Sequence, residues 1–210
     1  MVVWVVADEK ALIEWPAQPG TGACTVSTIT TVNEIKAGAD DIIVDLLFDN
    51  SEQGIATLAN SNASLVLINH VIGDLKTLPR NFVRINAWPG FLQRNVVEAA
   101  TLDDANKENA IQFFTLFDKK IEWVPDIAGF FTARVICSII NEAFFALEEE
   151  VSTREEIDTA MKLGTNYPYG PFEWADRLGI ENVFALLTHL SREELRYQPA
   201  GLLAETASKS

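Results

Sequence analysis

Two short, unbroken apolar runs constrain this chain most: Asp41-Ile-Ile-Val-Asp-Leu-Leu-Phe48 and Ser64-Leu-Val-Leu-Ile68. A strand that is apolar at successive positions must be covered on both faces, as the central strands of a parallel sheet are. Parallel neighbours need a crossover, and the stretch from Asn50 to Asn60 can supply a helical one. The pair therefore reads as a βαβ unit. Val2 to Val6 and Cys24 to Val32 are rich in β-branched residues and read as two more strands, as do Phe82 to Ile85 and Ile121 to Val124. Between the last two, Asp103 to Asp118 carries Ala105, Ile111, Phe114 and Phe117 at helical spacing. Residues 1–125 are expected to form an α/β domain around a parallel sheet, whose first segment keeps the sheet edge covered.

After Pro125 strand signals stop. Phe131, Val135, Ile139, Ala143 and Leu147 recur in steps of four and predict a long core helix. Ser152-Thr-Arg-Glu155 predicts a capping box with Ser152 at the N-cap, and Gly164 the stop of that helix. Tyr167-Pro-Tyr-Gly-Pro171 is a rigid connection into a helical pattern from Phe172 to Leu178, closed by Gly179, and Val183 to Leu190 is another apolar helix. Glu205 to Ser210 is expected to fray. Residues 126–210 thus read as an all-helical domain, so the fold class is α/β plus all-α.

With 48% apolar side chains in 210 residues, intrinsic disorder is excluded. A net charge of −14, with no basic cluster, argues against nucleic acid and anionic membrane surfaces as partners. Cys24 and Cys137 are far apart, and with only His70 and His189 to join them no metal site is expected. The apolar start, Met1 to Val6, is too short to span a bilayer and has no basic flank, so a cytoplasmic, reduced setting is expected.

Several motifs in order then carry a resemblance. Ala128-Gly-Phe-Phe-Thr-Ala-Arg134, Asn141-Glu-Ala143, Ile157-Asp-Thr-Ala-Met-Lys-Leu-Gly164, Tyr167-Pro-Tyr-Gly-Pro-Phe-Glu173 with Asp176, and Arg196-Tyr-Gln-Pro with Leu202-Leu203 resemble the C-terminal helical domain of the 3-hydroxyacyl-CoA dehydrogenases. Ala39-Asp-Asp-Ile-Ile-Val-Asp, Leu65-Val-Leu-Ile-Asn-His and Asn95-Val-Val-Glu98 extend the similarity upstream. The resemblance implies a Rossmann-like sheet domain followed by a helical domain of the 6-phosphogluconate-dehydrogenase C-terminal type. It also implies a homodimer formed through the helical domain, and oxidation of an acyl-CoA 3-hydroxyl by NAD in fatty acid metabolism.

The residues depart from that pattern where the chemistry lies. A dinucleotide needs a glycine-rich turn after the first strand, whose amides approach the pyrophosphate. Here that position reads Ala7-Asp-Glu-Lys10, and the nearby Gly20-Thr-Gly22 is followed by a strand pattern instead of a helix. Only about forty residues precede Asp41, so the nucleotide-binding half is expected to be truncated. The resemblance implies a histidine base twelve residues before the glutamate of Val-Val-Glu98, and that position is Asn86. An amide cannot take a proton near neutral pH. The family's asparagine after Gly-Phe is Ala133, and its Ser/Thr-rich loop reads Ile68-Asn-His-Val-Ile72.

The candidate site residues are therefore Glu98, Asn86 and His70, with no cofactor residue and no metal ligand. His70 follows a strand end and has two readings, a relocated base paired with Glu98 or a hydrogen-bonding cap. Trp88 and Trp174 read as core aromatics, His189 as structural, and Glu148 to Glu150 as a solvated face. Beside a new non-redox reaction on a thioester, two functions remain open. One is a family member without NAD-dependent activity, a pseudoenzyme serving as a dimeric scaffold or binding an acyl-CoA-like ligand. The other is an active 3-hydroxyacyl-CoA dehydrogenase using NAD.

Overall fold

The computed structural model describes residues 1–15 and 24–209, and the Gly20-Thr-Gly22 segment lies outside them. The chain divides into two compact units, Met1–Phe130 and Phe131–Ser210.

The first unit is a seven-stranded sheet. Its strands are β1 (Val2–Val6), β2 (Thr25–Ile29), β3 (Ile42–Asp45), β4 (Leu65–Asn69), β5 (Phe82–Ile85), β6 (Val96–Thr101) and β7 (Lys120–Trp123), in the spatial order β2-β1-β3-β4-β5-β6-β7. Every pairing is parallel except that of β5 with β6. The two founding apolar runs are β3 and β4, paired in register with Ile42 opposite Leu65, and α2 (Glu52–Ala59) crosses over between them.

Alternation along the strands sorts side chains onto two buried faces. On one, Val3, Val5, Val44, Leu67, Val83, Ile85 and Val97 pack with Phe113 and Phe114 of α3 (Ala105–Thr115). On the other, Ile43, Val66, Ile68 and Phe82 pack with Leu58 of α2 and with Leu75 and Leu78. Because both faces are covered, strands β3 and β4 have no polar alternation.

Three expectations for this unit are corrected. The N-terminal segment does more than cover an edge: β1 lies inside the sheet between β2 and β3, and β2 forms the edge. The sheet also contains β6, whose sequence Val-Val-Glu-Ala-Ala-Thr mixes buried and half-exposed positions, and which runs against β5. In α3 the inward face is Asn106, Ala110, Phe113 and Phe114, while Ile111 is exposed.

The second unit contains α4 (Thr132–Glu148), α5 (Arg154–Thr165), α6 (Pro171–Leu178), α7 (Ile180–Ser191) and α8 (Gly201–Ala207). Helix α4 buries Ala133, Cys137, Ile140, Asn141, Ala143 and Phe144, whereas Phe131 and Val135 of the expected stripe are 52% and 55% exposed. The helix is apolar on most of its circumference, so a step of four does not choose the buried face. The α5 cap is Thr153 with Glu156, one residue later than expected, and Ser152 Oγ also donates to Glu156 Oε2 at 2.6 Å. That helix runs past Gly164 and stops at Asn166, which takes the left-handed conformation with φ 56°. The tail does not fray at Glu205, because α8 continues to Ala207.

Several residues that carry the resemblance pin this unit together. Asn141 Nδ2 donates to the Gln198 carbonyl and its Oδ1 accepts the Ala200 amide, both at 2.9 Å. Arg134 lies over the Tyr197 ring, 5.4 Å from its centre. Asp158 accepts the amides of Phe172 at 2.8 Å and Glu173 at 3.2 Å, which satisfies the N-terminus of α6. Trp88 and Trp174 are buried, as expected of core aromatics.

Candidate functional site

Two polar groupings lie at the carboxyl ends of the central strands. The first marks the point where strand order reverses, since β2 lies on one side of β1 and β3 on the other; ligands of open α/β sheets bind outside such switch points. A cavity of about 220 Å³ opens there, lined among others by Thr30, Thr31, Asn33, Asp45, Asp49 and Ser51. Asp45 ends β3 and is 3% exposed, with Oδ1 accepting the Leu47 amide at 3.0 Å. Burial pushes its pKa up to about 7, the Leu47 hydrogen bond opposes this, and the charge of Asp49 adds to it. Asp49 itself is held below its ordinary value, chiefly by the Ser51 amide at 2.9 Å. The sequence reading did not single out Asp45; its signal was an acid inside Ile-Ile-Val-Asp-Leu-Leu.

The described residues here do not fit a dinucleotide pyrophosphate. Helix α1 (Glu9–Glu14), which follows β1, has its N-terminus occupied by its own Asp8, whose Oδ1 accepts the Ala11 amide at 2.8 Å. At α2 the Gly54 amide is taken by Ser51 Oγ at 3.1 Å. A phosphate in the cavity would meet Asp45 and Asp49, and one at the N-terminus of α1 would meet Asp8 and Glu9, while the cavity lining contributes no lysine, arginine or histidine.

The second grouping is on β5 and β6. Antiparallel register places Ile85 opposite Ala99, which sets Asn86 opposite Glu98, and the Asn86 amide donates to the Glu98 carbonyl at 3.0 Å. Their side chains meet as well, with Asn86 Nδ2 donating to Glu98 Oε2 at 2.8 Å. Asn86 is 2% exposed, and its Oδ1 is buried without a hydrogen-bond partner among the described residues. The structure thus brings two of the three candidate residues together. The third, His70, lies just past β4, its ring edge-on to Phe48 with centroids 5.2 Å apart and close over Gly73, where a Cβ would overlap it. Its carbonyl accepts Arg84 Nε at 2.8 Å. Ala133, where the resemblance implies a substrate-holding amide, is fully buried in α4. His189 is half-buried in the last turn of α7.

With this geometry in place, the chain can be compared with known proteins. Residues 129–209 match the model of the 3-hydroxyacyl-CoA dehydrogenase C-terminal domain. A 3-hydroxybutyryl-CoA dehydrogenase of Clostridioides difficile is 38% identical over 157 residues, 71% of this chain and 54% of that protein. The chain belongs to the 3-hydroxyacyl-CoA dehydrogenase family. A second member of this family, the 3-hydroxyadipyl-CoA dehydrogenase of Escherichia coli, is 38% identical over 114 residues, 53% of this chain and 24% of the relative. The chain thus spans about half the length, or less, of these curated relatives. Among solved structures, the (S)-3-hydroxybutyryl-CoA dehydrogenase of Ralstonia eutropha superposes with a TM-score of 0.71 at 25% identity, covering 88% of this chain and 70% of its own.

Among the described residues no group of three or more His, Cys, Asp or Glu is placed to hold a metal ion, and no helix is long and apolar enough to cross a membrane.

Proposed function

We propose that this member of the 3-hydroxyacyl-CoA dehydrogenase family binds an acyl-CoA-like ligand without oxidising it, as a cytoplasmic homodimer joined through the helical unit. The observation that carries the reading is the Asn86–Glu98 pair. At the position where the resemblance implies a histidine base, an amide sits 2.8 Å from the glutamate that would orient that base. General base catalysis typically supplies about 10² to 10⁴ in rate, and an amide supplies none of it. The acid-lined switch point supports the same reading, since the described residues that line it carry Asp45 and Asp49 and no cation for the pyrophosphate of NAD. The exposed Phe131, at the N-cap of α4, and Val135, one turn on, offer apolar area to a second copy of the chain.

The competing reading, hydride transfer to an NAD held in another way, is favoured by the names of the relatives and by Glu98 itself. One experiment separates the two. The protein is mixed with 3-hydroxybutyryl-CoA and NAD while NADH absorbance and the melting midpoint are followed. The proposal expects the thioester alone to raise the midpoint, NAD to leave it unmoved, and no NADH to form. Stoichiometric or catalytic NADH overturns it. Light scattering on the eluting protein checks the dimer.

A further inference from the structure

The cavity at the switch point holds a carboxylate to which the acyl-CoA reading gives no role. Asp45 is 3% exposed, and its register neighbours on β1 and β4 are the apolar Val6 and Ile68. Its Oδ1 accepts the Leu47 amide at 3.0 Å, whereas Oδ2 has no hydrogen-bond partner among the described residues. A desolvated carboxylate oxygen without a donor costs stability, and Asp45 is one of the residues that line the cavity, where a ligand can supply that donor. Asp49 lines the same space and is the one other charged side chain to do so among the described residues. Thr30, Thr31, Asn33 and Ser51 add neutral polar groups, and Glu34 is turned to Thr30, whose hydroxyl it accepts at 3.2 Å. The space is kept open at Gly54 in the first turn of α2, where a Cβ would stand 2.9 Å from Ser51 Oγ and 3.3 Å from Asp49 Oδ1.

We infer that this cavity binds a small organic cation, through an ammonium group that donates to Asp45 Oδ2 while Asp49 supplies the second negative charge. An ammonium has donors and no acceptor, which matches two carboxylates that only accept. A buried carboxylate is costly alone and favourable once paired and hydrogen-bonded. An anion is repelled by both acids, and a neutral hydroxyl exchanges one hydrogen bond for another without balancing their charge. The chain's net charge of −14 draws cations toward it. Burial raises the Asp45 pKa to about 7, with the Asp49 charge adding to the rise, so a bound cation displaces a proton and its affinity falls with acid below that pH. This site is independent of the acyl-CoA reading, which rests on β5 and β6.

The probe is putrescine, a four-carbon diamine, with its diol counterpart and succinate as chain-matched neutral and anionic controls. Each is titrated into the full chain at pH 8, with the heat and the melting midpoint as readouts. The inference expects putrescine to bind and the two controls not to. Asp45→Asn should weaken putrescine by about tenfold or more, the scale of a hydrogen bond to a charged group. Glu193→Gln removes one charge from an exposed position in the helical unit and should leave the affinity unchanged, which separates the cavity from general attraction to an acidic surface. In the parent the affinity should fall severalfold for each pH unit below 7, and in Asp45→Asn it should not. If Asp45→Asn fails to fold, the pH dependence of the parent decides. The inference is overturned if putrescine gives neither heat nor a shift, if the diol binds as well, if Asp45→Asn binds like the parent, or if the parent's affinity is flat with pH.

Discussion

Arg84 and Asp126 form an ion pair in which the guanidinium has no solvent exposure and the carboxylate side chain is 12% exposed. Arg84 sits on β5 two residues before Asn86, so its side chain leaves the same face of the sheet. It spends its other donors on the carbonyls of His70 at 2.8 Å and Ile127 at 3.2 Å, and its guanidinium lies 4.4 Å from the centre of the Phe130 ring. Asp126 in turn accepts the Leu75 amide at 2.8 Å. One buried cation thus ties together the segments after β4, β5 and β7.

Breaking this pair from either side should be costly. Arg84→Met strands the carboxylate, and Asp126→Asn leaves a desolvated guanidinium whose pKa burial already lowers. Removing one partner of a buried pair typically costs about 3 to 5 kcal/mol. Urea unfolding should show each single variant destabilised by about that much. The double variant Arg84→Met with Asp126→Asn should lie well short of the sum, because no lone charge remains. Strict additivity would mean that the two groups do not act as a pair.

How far these features are legible in the sequence depends on the range of the interaction that fixes them. Strands β3, β4 and β5 are plain because burial on both faces removes polar alternation within a few residues. The Asn86–Glu98 pair is legible only through the resemblance, which implies a base twelve residues before the glutamate; in the structure the two side chains meet at 2.8 Å. Strand β6 itself is not legible, since its burial alternates irregularly and includes a glutamate. The Arg84–Asp126 bond is invisible: a strand arginine reads as a surface residue, and its partner is 42 residues away. At the cap of α5 the sequence offers two overlapping boxes, Ser152 with Glu155 and Thr153 with Glu156, and local pattern cannot rank them.

Asp45 gives a signature in pH. Its pKa rises from an unfolded value near 3.8 to about 7 in the folded chain, first because of burial. Between those values the folded state keeps a proton that the unfolded state has released, so this group's contribution to stability falls as pH rises from about 4 to 7 and is level above that. A shift of this size corresponds to about 4 kcal/mol at pH 8. Asp45→Asn keeps an oxygen for the Leu47 amide and does not ionise. Its stability relative to the parent should therefore climb between pH 4 and pH 7 and then plateau. A difference between the two proteins that stays constant with pH would show that Asp45 ionises normally in its site.

In the helical unit, Gly170 and Asp158 are in such close approach that a Cβ on the glycine would overlap the carboxyl group. The backbone of Gly170 is extended, with φ −74°, so the demand for glycine is one of space and not of dihedral angle. The carboxylate cannot retreat without giving up the Phe172 and Glu173 amides that it accepts at the start of α6. Gly170→Ala should therefore destabilise the chain by about 2 to 3 kcal/mol, the scale of overpacking combined with a lost helix cap. In an Asp158→Ala background the obstruction is gone, and the same substitution should cost little. Urea unfolding of the four proteins measures the coupling. Equal costs of Gly170→Ala in both backgrounds would mean that the strain lies elsewhere than against Asp158.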